Sequence, residues 1–173
     1  MSEPSTNAFL LDIQQRLLNI AVAAHSDSSL HKYYAMPQNI TNFPSVMCSP
    51  QQFLGLSGQA SELHMEIPFN LTFFYGLYDP TKTLEGEWRP LVFVSNFLIE
   101  LAARPNLQYS SDGTTPDTGL KYIGGNVSAQ LISDLSTPFP YPQVIEGAPW
   151  YWGAVIRVTV PYHRNIDIKV AGL

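Results

Sequence analysis

The side chains that could do chemistry in this sequence are four histidines, one cysteine and a scatter of acids. His25 and His31 stand six residues apart with Asp27 between them, in a polar stretch. Zinc sites declare themselves by tight Cys/His pairs that recur, so these two read as solvated loop histidines. Cys48 as a nucleophile would need a neighbouring base and an electropositive setting. The sequence supplies neither, and an inert thiol is expected. Gly55-Leu-Ser57-Gly58 resembles a nucleophile elbow in outline, but lacks the Gly-x-Ser-x-Gly spacing and its strand-to-helix context; a flexible turn is expected there. Ser110 to Gly119 gathers Asp112, Asp117 and hydroxyls in a glycine-bearing loop, without the alternating carboxylates and closing Glu of a calcium loop. Gly124-Gly125 lacks the Lys and Ser/Thr of a phosphate loop. Glu66, Glu85, Glu87, Glu100 and Glu146 show no spacing that selects a glycosidase pair, which only a fold could assemble. The expectation is therefore no catalytic residue, no metal ligand and no cofactor.

One cluster invites a binding role. Trp150-Tyr151-Trp152 opens a run of alternating apolar residues. Alternation turns Trp150 and Trp152 to the apolar face of a strand and leaves Tyr151 outward. The rings can anchor a core, stack on a sugar, or lie in a subunit contact, where Trp and Tyr concentrate binding energy. Trp150, Tyr151 and Trp152 are the candidate interface residues.

The elements that must position these residues follow from periodicity. Leu10, Ile13, Leu17, Ile20, Ala21 and Ala24 recur at three- and four-residue steps, against Asp12, Gln14, Gln15, Arg16 and Asn19. That pattern predicts an amphipathic helix from Asn7 to Ala24, with Thr6 or Asn7 as its N-cap. Tyr33 to Phe53 is turn-rich, with a short strand at Ser45 to Ser49. From Leu63 to Tyr75 every second residue is apolar, which predicts a long strand with one buried face. Pro68 inside it lacks a backbone donor and calls for an edge position or a bulge. Gly76 to Glu87 reads as a loop around Asp79-Pro80. Pro90 then opens a second helix, with Val94, Phe97, Leu98 and Leu101 as its stripe and Arg104-Pro105 as its end. Ile123 to Leu135 alternates again. The four prolines between Thr137 and Pro149 predict an arm without regular pairing. Trp150 to Tyr162 is the third alternating run, and Ile166, Ile168 and Val170 keep its phase.

Three one-faced strands need cover, and the two helices are the only candidates. The fold class is α+β: a mostly antiparallel sheet of long strands covered on one face by two helices. A single domain spans 1–173, with Asn106–Lys121 and Thr137–Pro149 as long loops.

Composition narrows the role. With 9 basic and 14 acidic residues in 173, charge is 13%, against about 25% in soluble domains. Either an uncharged polar surface or coverage by neighbouring subunits accounts for that, and aromatics at 12% favour coverage. A net charge of −5 without any Lys/Arg run argues against sequence-specific nucleic-acid binding. No apolar stretch approaches the roughly 20 residues of a membrane span. The N-terminal residues show no secretory signal, and one cysteine fits a reducing compartment.

The order of elements is similar to that of the tail terminator (tail-completion) proteins of long-tailed bacteriophages. The likeness lies in the helix Phe9 to Ala24, the strand Leu63 to Tyr75, the helix Leu91 to Ala103 and the closing strand. That strand carries Tyr151-Trp152-Gly153-Ala154-Val155-Ile156-Arg157-Val158, an aromatic–Gly–small–aliphatic finish. The resemblance implies a non-enzymatic homo-oligomer, a ring such as a hexamer, that caps the tail tube and joins it to the head connector. Its partners would be tail-tube and head-connector proteins, and its place the virion, after assembly in the host cytoplasm. The longer polar loops depart from that pattern and leave a different neck or baseplate subunit as an alternative. A carbohydrate- or peptide-binding module, or a small hydrolase whose residues meet only in the fold, are the other classes.

Overall fold

The structure is a computed structural model that describes residues 6–25, 29–34, 40–51, 54–59, 62–109, 117, 119–120, 128–131, 139–140 and 150–165. Along the chain run α1 (Thr6–Ala24), β1 (His31–Tyr33), β2 (Ser45–Pro50), β3 (Leu54–Gln59) and β4 (Glu62–Leu77). A single 3₁₀ turn (Pro80–Lys82) leads into α2 (Thr83–Ala102), followed by β5 (Ser128–Leu131), β6 (Phe139–Pro140) and β7 (Trp150–Asn165). The class is α+β, as the periodicity predicts: one mostly antiparallel sheet with two helices on one face.

The two sixteen-residue strands, β4 and β7, form the spine. They pair antiparallel from Glu62↔Asn165 to Phe74↔Gly153; Tyr75 is then an extra residue, and Gly76 pairs with Trp152. β2 and β3 follow one another along the free side of β4, and β1 adds parallel to β2. β5 and β6 pair with the far side of β7.

Side-chain alternation then sorts the faces. Ile67, Phe69, Leu71 and Phe73 of β4 and Ala154, Ile156, Val158 and Val160 of β7 are buried together with Val46 and Cys48 of β2. Ile13, Leu17, Leu18, Ile20 and Ala21 of α1 and Phe93, Val94, Phe97 and Leu101 of α2 close over them. Phe73 and Phe93 stack with centroids 4.0 Å apart. At about 25 cal/mol per Å² of apolar area removed from water, this layer is the principal stabilising contribution.

Several expectations are corrected. Helix α2 begins at Thr83, not Pro90, so the expected loop to Glu87 is partly helix and Pro90 sits inside it. Its ring is buried on the same side of the helix as Phe93, Val94, Phe97 and Leu101. Leu98, assigned to the buried stripe, is exposed, while Phe93 takes its place. Gln14, assigned to the wet face of α1, is only 7% exposed. Its Nε2 donates to the Tyr34 carbonyl at 2.6 Å and to the Cys48 carbonyl, so the burial of its amide is offset. Gly55 to Gly58 lies in β3 rather than in a turn. Phe139–Pro140, within the arm expected to lack pairing, pairs with Tyr151 and Trp150; a proline is tolerated in an outer strand of two residues. Of the Ile123–Leu135 alternation, Ser128–Leu131 is strand. Its other residues and Ile166 to Val170 lie outside the described residues.

Pro68 is neither at a sheet edge nor in a bulge of its own strand. The Gln51 N–H donates to its carbonyl at 2.8 Å, so its missing donor also faces the β2/β3 side. The ladder there is interrupted, between Pro50↔Phe69 and Leu54↔Glu66. The irregularity falls on the neighbour, where no donor is demanded.

Candidate functional site

On the opposite face of the sheet the described residues form a smaller cluster at one end. Ile40, Met47, Phe74 and Tyr151 form a second buried cluster, flanked by Tyr33 and Phe43. Tyr151 is 1% exposed, edge-on to Phe74 at 5.4 Å and 5.8 Å from Phe43. The outward Tyr151 expected from alternation does face away from the helices, but the 40–43 segment covers it. Burial pushes its phenol pKa up, and a hydrogen bond with the Ile40 backbone pulls against that. Trp152 is 3% exposed and lies 5.1 Å from Tyr78. The side chain of Trp150 lies outside the described ones. Tyr151 and Trp152 are thus closed off largely by their own chain.

The residues with chemical potential are dispersed. Cys48 is fully buried in β2, and burial pushes its thiol far above the ordinary range. His25 ends α1 beside Phe73 and Phe93, whereas His31 is exposed on β1. Glu66 lies exposed on the sheet. Glu85 accepts a hydrogen bond from Tyr75 Oη at 2.5 Å, and Glu100 pairs with Arg104. The side chain of Glu87 and all of Glu146 lie outside the described residues. Register does create one pair that spacing could not show: His64 and His163 stand opposite each other on β4 and β7, stacked at 4.3 Å. Among the described residues no group of three His, Cys, Asp or Glu side chains is placed to hold a metal ion.

Asp117 belongs to the loop weighed as a calcium site, and here its carboxylate accepts three hydrogen bonds. Arg16 Nη1 lies 2.6 Å from Oδ2, the Tyr109 N–H donates to Oδ2 at 2.8 Å, and the Gly119 N–H donates to Oδ1 at 2.9 Å. Arg16 also donates to Leu107 O and pairs with Asp12. Partial burial opposes ionisation of Asp117. The Gly119 and Tyr109 N–H groups and Arg16 outweigh it and hold the carboxyl below its usual range. Gly119 has φ +77°, and a Cβ there would meet Asn106 O at 2.2 Å, so only glycine closes this turn. Residues 110–116 and Gly124-Gly125 lie outside the described residues.

The feature that stands out is the outer face of α2. Leu84 is 71% exposed, Trp88 60% and Ile99 64%, and Leu91, Val92 and Leu98 are also exposed. They lie opposite Pro90, Phe93, Val94, Phe97 and Leu101, which are buried. A surface helix normally presents charge on that side, and none of these six positions carries any. Sequence reading missed it because the stripe was assigned to one face only. The signal was available: apolar residues outnumber what one face of a 3.6-residue helix can hold.

No protein-family model matches the chain, and none of the curated proteins compared with it matches. Among the described residues no helix is long and apolar enough to cross a membrane.

Proposed function

We propose that this chain is a self-associating structural subunit whose work is assembly rather than catalysis. The observation that carries this reading is the apolar outer face of α2, six large side chains exposed on a helix whose other side already fills the core. Leaving such a face in water is costly, and covering it with another protein chain recovers that hydrophobic free energy. A charge content of 13% supports the same reading, because surfaces covered in an assembly are depleted in charge.

The finer assignment is a ring-forming tail terminator of a long-tailed bacteriophage, capping the tail tube against the head connector within the virion. It rests on the resemblance in element order, α1, long strand, α2 and closing strand. Light scattering over a concentration series, with negative-stain imaging, tests both levels. Closed rings of uniform copy number are expected. A chain that stays monomeric at every concentration overturns the assembly reading, and open or irregular oligomers overturn the ring.

A further inference from the structure

Resting on the assembly reading, we infer that the occupant of the α2 outer face is the same helix of a second copy, packed antiparallel. The positions Leu84, Trp88, Leu91, Ser95, Leu98 and Ala102 follow one another at alternating steps of four and three. All six are exposed, and such steps form a seam for left-handed helix pairing. Val92 and Ile99 widen it on one side. The helix has 20 residues, about 30 Å at the usual rise.

This seam is complementary to itself in one direction. With two copies antiparallel and centred on Phe93, Leu84 meets Ala102, Leu91 meets Ser95, and Trp88 meets Leu98. Large side chains face small ones at two of these levels, which lets the axes approach and leaves the middle levels room for the indole. Parallel pairing would instead set Leu84 against Leu84 and Trp88 against Trp88, with Ser95 facing Ser95 across a gap.

The six exposed apolar side chains leave on the order of 600 Å² accessible per copy, so their full cover by a second copy buries roughly 1,200 Å² in total, the lower bound for a standard stable interface. An isologous pair uses the same patch on both copies and closes on itself. A ring built from such pairs holds an even number of copies, needs a second, different contact and presents alternate copies in opposite senses, so the inference rests on the assembly reading and not on the tail-terminator assignment, whose two ring faces must differ.

The test combines sedimentation with directed cross-linking. Wild-type chain should sediment as pairs or multiples of pairs, and Trp88→Glu, at an exposed position, should weaken pairing at least 100-fold with an unchanged circular-dichroism spectrum. Leu84→Cys mixed with Ala102→Cys should form an oxidative cross-link between copies, while Leu84→Cys alone should not; native Cys48 is buried and does not compete. Cross-linking of Leu84→Cys alone overturns the antiparallel arrangement. Oligomers that survive Trp88→Glu unchanged overturn the inference but leave the assembly reading standing. A wild-type monomer overturns both.

Discussion

Arg16 and Asp117, 101 residues apart in sequence, meet at 2.6 Å and fasten the segment after α2 to the flank of α1. The guanidinium also reaches Leu107 O, so one side chain holds both the turn leaving α2 and Asp117. Leu107 itself is fully buried at a positive φ of 54°, a conformation that a leucine keeps only when its surroundings enforce it.

That ion pair has a pH signature. The folded-state carboxyl of Asp117 lies below its ordinary value, so its contribution is fully present above the unfolded pKa, about 3.9. It is lost as pH falls through the lower, folded value. Asp117→Asn should cost about 1.5–3 kcal/mol at neutral pH, the range for hydrogen bonds to charged groups. Urea denaturation at stepped pH should show the gap between wild type and variant closing below about pH 4. A gap that persists unchanged at pH 2 would count against the pairing.

Gln14 holds α1 to the sheet by donating to the Tyr34 and Cys48 carbonyls. Gln14→Ala leaves a buried acceptor without its donor, at a cost of about 1–3 kcal/mol. Gln14→Glu should be worse, because a carboxylate donates nothing there and is buried without a cation. Chemical denaturation of the two variants, ranked against wild type, checks the order.

Tyr151 separates two roles. As part of the second buried cluster, Tyr151→Ala should destabilise by about 3–5 kcal/mol, as truncation of a large buried ring does. As an outward sugar platform it would abolish binding and leave the melting temperature unmoved. Differential scanning fluorimetry with a glycan array decides between them.

Cys48 should be chemically silent. Its thiol is fully buried and its ionisation opposed by burial, and the thiolate is the reactive form. Labelling by a disulfide reagent at pH 8 should follow the opening of β2, at least 1,000-fold slower than in denaturant. Rapid stoichiometric labelling of the folded chain would refute the placement.

The pattern of residues alone determined α1, β4 and β7 and the faces they bury, because periods of 3.6 and 2 are local consequences of backbone geometry. It placed Phe69, Phe73, Ile156 and Val158 together under the helices without any knowledge of pairing. What covers the reverse face is not a local property. Tyr151 alternates as an outward residue, and only the return of the 40–43 segment buries it. The start of α2 was hidden because Pro90 suits a first turn and set the boundary there, whereas the helix runs two turns further back, to Thr83. Only the tertiary structure decided which of its two apolar sides meets the core, because the sheet can receive one. The other side, from Leu84 to Ala102, is left facing outward.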